Sequence, residues 1–226
     1  RQSRVGRKLS ATGNGRCNLS NEYLAERCYH GAPAAFVRPA LSALDTAGTL
    51  ALFAQMGLLT QAEPGGRVYP LSDQAASVVD VLRFAADGAG VRLLTGTQVR
   101  SIRREKGGFS LIWDGGGMQA QRVIVCCGGA AGTHLGGSCQ GYGLLTALGH
   151  TLTELSSALC PIRTETELVR SLKGVRAKAA AVLRQQGRPL GADTGEVQFT
   201  DTGVSGPTAF ALSRLAGPGQ VLHLDL

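Results

Sequence analysis

The sequence has few aromatic residues, 5% of 226, and no apolar run near the roughly 20 residues that a membrane-spanning helix needs. Charged residues are also scarce, at 17%, while 43% are hydrophobic, a balance typical of a globular protein. No CxxC pair and no Cys/His spacing typical of zinc occurs, so we expect no metal site and reduced thiols. These absences predict a soluble, cytoplasmic protein that does not enter a membrane.

The net charge of +7 suits an anionic partner. Lys and Arg are scattered singly, however, without the dense basic block or interleaved aromatics typical of a nucleic-acid surface. We therefore interpret the charge as weak evidence for phosphate binding and expect a small-molecule substrate and no nucleic acid. A basic binding module for an anionic partner is the alternative, and the oligomeric state is left open.

Helical and strand patterns alternate along the chain, which favours an α/β fold. Residues 45–56 predict a helix closed by Gly57, and residues 58–71 predict a hairpin broken by Pro64 and two glycines. The clearest helical periodicity covers residues 72–86, with Ser72 or Asp73 as the expected cap.

Strands are expected next, separated by glycine turns. A strand at 91–94 should precede an antiparallel meander of residues 99–103, 109–113 and 118–122. The apolar run 123–127 predicts a buried parallel strand that leads into a ligand-binding turn. Further strands are predicted at 155–161, 175–183 and 195–200. Pro207 predicts the start of a helix, because proline suits the first helical position.

A glycine-rich basic stretch, GRKLSATGNGRCN, spans residues 6–18. Gly13 and Gly15 allow backbone conformations closed to other residues, and Arg7, Lys8 and Arg16 add positive charge suited to a pyrophosphate or an anionic flavin. A solvated basic turn is the alternative. After this stretch, Asn18 or Ser20 could cap a helix that runs toward Cys28.

Two more glycine clusters, residues 127–132 and 136–143, follow a predicted strand and precede a predicted helix. Backbone amides at such positions attract anions, but the local pattern alone favours tight packing at sheet ends over anion binding. No GxGxxG fingerprint occurs anywhere in the sequence, so an independent dinucleotide site is not established.

The opening stretch resembles the GRKLLISGGGRCNLTN signature of the aminoacetone-oxidase-like and bile-acid-reductase-like family of FAD-binding flavoproteins. The resemblance continues through residues 65–82, 123–152 and 195–207. It implies a Rossmann-type FAD-binding domain interrupted by a β-rich second domain. Residues 1–153 would be a partial FAD-binding domain with an antiparallel β-meander, and residues 154–226 part of the inserted β-rich substrate domain.

The same resemblance implies a set of FAD-binding positions. By position, they are Arg7, Lys8, Gly13, Asn14, Gly15, Arg16, Cys17, Asn18, Val99, Cys127, Gly128, Gly129, Gly141 and Tyr142. Val99 would contact the adenine through its backbone. Cys127 replaces the family's usual threonine, and Gln140 its usual aspartate, which changes the hydrogen bonding at two turns.

The implied function is that of an FAD-dependent oxidoreductase acting on a small amine or on a keto or unsaturated compound, with NAD(P)H as a candidate reductant. Arg16 is the candidate for tuning the flavin electrostatically, with a plain surface charge as its alternative. The family's GxGxxG loop would precede Arg1, so we expect this chain alone to bind FAD weakly or not at all. A non-catalytic truncated domain is the rival interpretation.

Overall fold

The chain divides into two units, Arg1–Leu152 and Thr153–Leu226, in a computed structural model that describes residues 2–31 and 34–226. The helices of the first unit are α1 (Arg7–Ala11), α2 (Arg38–Ala43), α3 (Thr46–Gln55), α4 (Ala75–Gly88) and α5 (Gln140–Thr146). Its strands are β1 (Ser20–Asn21), β2 (Thr60–Ala62), β3 (Arg67–Pro70), β4 (Val99–Glu105), β5 (Gly108–Trp113) and β6 (Gly116–Ala120). They form two antiparallel sheets, with strand orders β1-β3-β2 and β4-β5-β6.

The α/β fold, the hairpin and the three-stranded meander predicted from the sequence are confirmed. In the hairpin, Thr60 pairs with Pro70 and Ala62 with Val68. The predicted helix at 45–56 is also confirmed as α3. The Asp45 carboxylate caps it by accepting the backbone N–H of Gly48 at 2.7 Å.

Helix α4 forms where its periodicity predicts it, but the expected cap is wrong. The helix begins at Ala75, and the residue before it, Gln74, makes no side-chain capping bond. The Ser72 hydroxyl accepts a long 3.4 Å bond from the Gln74 N–H and shares a 2.7 Å hydrogen bond with the Ser77 hydroxyl. Asp73 has a left-handed backbone (φ 55°), and its carboxylate is bonded to Arg16 instead.

Several predicted strands are wrong. Residues 123–127 are irregular, and Ile124 is 87% exposed. A strand buried on both faces needs flanking strands, and no strand within residues 2–31 and 34–226 pairs with this run. Residues 91–94 and 155–161 form no strand either. The helix expected to begin at Asn18 or Ser20 is replaced by β1, whose Ser20 pairs with Val68 of β3.

The second unit is built on a five-stranded antiparallel sheet. Its strands are β7 (Ile162–Arg163), β8 (Arg176–Gln185), β9 (Arg188–Phe199), β10 (Gly203–Ser205) and β11 (Gln220–Asp225), in the order β11-β8-β9-β10-β7. The strands predicted at 175–183 and 195–200 are therefore confirmed as parts of β8 and β9. Gln186 and Gly187 join these two strands with positive φ angles of 48° and 79°, as a tight hairpin turn requires.

One face of this sheet carries the core of the second unit. Ala179, Ala181 and Leu183 alternate with exposed or half-buried neighbours along β8, the period of two expected of a strand with one buried face. This unit also contains the helices α6 (Thr166–Val169), between β7 and β8, and α7 (Pro207–Ser213), between β10 and β11. Helix α7 begins at Pro207, as predicted, and contributes Leu212 to the core.

Among the described residues, no helix combines the length and the hydrophobicity that crossing a bilayer would take.

Replacing Leu212 with alanine tests this core directly. Leu212 is 3% exposed within the core cluster, so its truncation should lower the free energy of unfolding of the second unit by about 2–5 kcal/mol. Urea denaturation followed by circular dichroism measures the change. The control is Leu168→Ala, at a 70% exposed position of α6 in the same unit, and it should be nearly neutral. Equal effects of the two substitutions would contradict the assigned core.

Candidate cofactor-binding site

The opening segment forms a turn with an unusual backbone. After α1, the residues with positive φ are Gly13 (56°), Asn14 (56°), Gly15 (87°) and Cys17 (63°). For residues other than glycine this left-handed conformation costs roughly 1–2 kcal/mol, less for asparagine. Residues 13–17, called the left-handed turn below, therefore require surrounding contacts to keep their shape.

The two glycines predicted to bind a ligand serve different structural needs. A Cβ on Gly13 would lie 2.8 Å from the Asn18 backbone nitrogen and 3.0 Å from the Tyr69 ring, so this position needs both the small side chain and the positive φ. Gly15 has almost no neighbour, since a Cβ there would meet only the Ser10 carbonyl oxygen, at 3.9 Å. Gly15 is therefore needed for its conformation alone.

Cys17 lies inside the fold rather than on its surface. It is 1% exposed and packs in a cluster with Leu58, Ala75 and Val78. A thiol in such surroundings behaves as a small hydrophobic group. Cys17 therefore anchors the left-handed turn to the buried cluster, whereas Asn14, Gly15 and Asn18 are exposed.

Arg16 is held by two carboxylates and an aromatic ring. Its Nη2 lies 2.5 Å from Glu63 Oε1 and 2.6 Å from Asp73 Oδ1, and its Nε donates to the same Asp73 oxygen at 2.9 Å. The guanidinium carbon sits 4.0 Å from the centroid of the Tyr69 ring, a cation–π geometry. The hydrogen bonds to Glu63 and then Asp73 raise the pKa of Arg16 above its usual value.

Helix α1 connects the opening segment to the second glycine cluster. Lys8 Nζ donates to the Ala131 carbonyl oxygen at 2.8 Å, and Arg7 Nη2 donates to the His134 carbonyl oxygen at 3.2 Å. Arg7 Nη1 also donates to Gln2 Oε1 at 2.6 Å. Two cations from residues 7–8 thus lie against a turn more than 120 residues away in sequence.

The second cluster folds back on itself through its glycines. A Cβ on Gly129 would collide with the Tyr142 hydroxyl, and a Cβ on Gly141 would collide with the Cys127 sulfur. These two glycines therefore allow tight packing, which the sequence offered as the alternative to anion binding. Gly128 differs, since it has a positive φ of 71° and a Cβ placed on it would lie 3.7 Å from Lys8 Nζ.

The structure places the predicted residues in two neighbouring groups and one separate position. The first group joins Arg7 and Lys8 to the cluster of Cys127, Gly128, Gly129, Gly141 and Tyr142. The second comprises residues 13–18 beside the β2–β3 hairpin. Val99 lies apart from these contacts at the start of β4, where it is half-buried and pairs with Trp113.

Three residues of the site were not predicted from the sequence: Glu63, Tyr69 and Asp73. Tyr69 and Asp73 do lie in the stretch 65–82 that resembles the flavoprotein family, which was the one available signal. Their pairing with Arg16 could not be foreseen, because Glu63 and Asp73 are 47 and 57 residues away from it in sequence.

All six cysteines are free thiols. Among the described parts of the chain, no three His, Cys, Asp or Glu side chains are grouped so that they could hold a metal ion.

Comparison with known proteins gives similarities along almost the whole chain. The chain is 41% identical to the 3-dehydro-bile acid delta(4,6)-reductase of Clostridium scindens, over 95% of this chain and 52% of that protein. It is 24% identical to the ribosomal RNA dihydrouridine synthases of Escherichia coli, over 98% of this chain and 55% of the relative, and of Haemophilus influenzae, over 99% and 56%. The chain thus spans about half the length of the curated relatives it matches.

The family model that matches this chain describes the HI0933-like protein Rossmann domain, and the match covers residues 1–208. It includes the left-handed turn, the second glycine cluster and the start of helix α7. The chain therefore belongs to the HI0933-like Rossmann-domain family of FAD-dependent flavoproteins.

Proposed function

We propose that this chain forms a major part of the FAD-binding surface of an oxidoreductase that reduces an unsaturated small molecule. The observation that carries the proposal is the 2.8 Å hydrogen bond from Lys8 Nζ to the Ala131 carbonyl oxygen. It joins the two segments that most closely resemble the flavoprotein signature, and both lie in the region covered by the family match.

The first group of residues fits the phosphates of FAD. Lys8 uses one donor on Ala131, which leaves further N–H groups of its ammonium available, and the side chain is exposed. The backbone of Gly128 lies beside that ammonium with no side chain in the way. A positive charge next to a glycine backbone is an arrangement that suits phosphate oxygens.

The second group fits a flat polar ring. Asn14 and Asn18 are exposed, and neither side-chain amide has a hydrogen-bond partner among the described residues. Gly15 leaves the surface between them open, since a Cβ placed there would have no neighbour closer than 3.9 Å. These amides would donate and accept hydrogen bonds along the edge of an isoalloxazine ring.

When bound, FAD supplies the hydride transfer. The chain's own residues bind and orient it: Arg7 and Lys8 would fix the phosphates, and the left-handed turn would fix the ring. NAD(P)H is the reductant we propose for the complete reaction.

An unsaturated substrate is favoured by the relatives. The more similar one is named a reductase of a 3-dehydro-bile acid with delta(4,6) unsaturation, and the others are named for making a dihydro product. Both kinds of name describe the addition of hydrogen to a double bond conjugated with a carbonyl group. We therefore favour an enone over a small amine as the substrate class.

A second candidate is the reduction of uridine in RNA. It is favoured by the two dihydrouridine synthases, which match nearly the whole chain, and by the net charge of +7. Against it stands the higher identity to the bile-acid reductase, 41% compared with 24%.

Replacing Lys8 with glutamine tests the phosphate contact. The sequence leaves two outcomes open, weak FAD binding by this chain or none. We expect weak but measurable binding, because the proposed phosphate contacts of Lys8 and Gly128 are both present. Loss of one charge-assisted hydrogen bond should then raise the Kd for FAD about tenfold. Flavin fluorescence, followed while the protein is titrated to millimolar concentration, measures the change.

The matched control for this titration is Lys173→Gln. Lys173 pairs with Asp201 at 2.9 Å in the second unit, so this variant loses the same charge without removing any contact described for the proposed site. Its Kd should equal that of the wild type. Absence of FAD binding, or equal weakening by both variants, would contradict the proposed site.

The substrate class is tested by reoxidation of the reduced flavoprotein. The chain is saturated with FAD, reduced anaerobically and mixed with a 3-oxo steroid that carries a conjugated double bond. We expect recovery of oxidised flavin absorbance at least about tenfold faster than with free reduced FAD, because binding orients the two reactants. Faster reoxidation by a uridine-containing RNA instead would support the second candidate and refute the first.

A further inference from the structure

Two strained turns face each other at Arg16. Asn14 and Cys17 have φ angles of 56° and 63° on one side, and Asp73 has a φ of 55° on the other. Strained backbone persists only where surrounding contacts hold it, and such strained residues are concentrated at functional sites. The side chain that joins these two turns is Arg16, through its bonds to Asp73.

The charge around Arg16 does not match its expected role as a positive charge for tuning the flavin. Its guanidinium is shared between the carboxylates of Glu63 and Asp73. One positive and two negative groups give the cluster a net negative formal charge. Asp73 Oδ1 also accepts a longer bond of 3.4 Å from Gln61 Nε2. Arg16 is therefore already occupied by acidic partners and offers little free positive charge to an anion.

Tyr69 connects this cluster to the glycine of the turn. The ring lies under the Arg16 guanidinium, and its edge would be 3.0 Å from a Cβ placed on Gly13. Tyr69 is buried in β3, so its ring is held in place and other groups pack against it. The same ring thus limits the position of Gly13 at the start of the turn and of Arg16 near its end.

We propose that Arg16 is a positioning residue, which locks the left-handed turn in its ligand-binding shape through Glu63, Asp73 and Tyr69 without itself binding the ligand. The inference rests on the proposed function for the identity of the ligand, FAD. The lock itself depends only on this chain. It acts together with the buried thiol of Cys17 and leaves Asn14 and Gly15 exposed.

Hydrogen–deuterium exchange of the 226-residue chain tests the lock without any ligand. In the variant Arg16→Gln, exchange of the amides of residues 13–18 should become at least about tenfold faster. Loss of the Arg16 contacts lowers the free energy of the local opening through which these amides exchange. Exchange in α4 and in the second unit should stay at the wild-type rate. The matched control is Arg100→Gln, which loses a comparable ion pair, to Asp114 at 2.6 Å, in the β4-β5-β6 sheet. It should leave residues 13–18 unchanged.

Arg16→Lys separates geometry from charge. Lysine keeps the positive charge but lacks the planar fork that reaches two carboxylates and stacks on Tyr69, so exchange of residues 13–18 should remain at least about threefold faster than in the wild type. Full rescue by lysine would overturn the lock, since charge alone would then be sufficient. Unchanged exchange in Arg16→Gln, or faster exchange throughout the first unit, would overturn it too.

The link to FAD is measured separately by titration. With the turn unlocked, the Kd of Arg16→Gln for FAD should rise about tenfold and that of Arg100→Gln should not change. Faster exchange with an unchanged Kd would overturn the role of the lock in FAD binding. Failure of the wild-type chain to bind FAD would overturn the proposed function, while the exchange data would still decide whether Arg16 locks the turn.

Discussion

The hydrogen bonds from Arg7 and Lys8 to the carbonyl oxygens of His134 and Ala131 organise the candidate site. They bring the first helix of the chain against a turn that follows more than 120 residues later. Hydrogen bonds from charged donors to carbonyl oxygens are stronger than those from neutral donors. These two bonds therefore fix the relative position of two otherwise exposed segments. The proposed phosphate site depends on them, because neither segment alone provides both cations and an open glycine backbone.

A second constraint acts on the backbone of the turn that follows. The left-handed conformation of Asn14 and Cys17 is unfavourable in isolation, and it is held by a buried thiol on one side and by the Arg16 cluster on another. A surface that is rigid before the ligand arrives loses less conformational freedom on binding. In this proposal, the same stretch of sequence encodes both the cofactor surface and contacts that hold that surface in shape.

Local patterns in the sequence were sufficient for the elements that depend on local chemistry. Alternation and glycine turns predicted the hairpin, the meander and β8, and Asp45 and Pro207 marked the starts of their helices. The run 123–127 failed because burial depends on neighbouring strands, which a local apolar pattern does not reveal. For the site, the resemblance supplied Arg7, Lys8 and the glycines. It could not supply the partners of Arg16, since contacts between distant residues leave no local pattern.

The most direct test of the account is an amide-resolved NMR titration of the 226-residue chain with FAD, with ADP as the comparison ligand. We expect chemical-shift changes with FAD in both segments, residues 7–18 and 127–142, and with ADP mainly around Lys8 and Gly128. Shift changes confined to one segment, or located in the second unit, would contradict the claim that the two segments form one cofactor-binding surface.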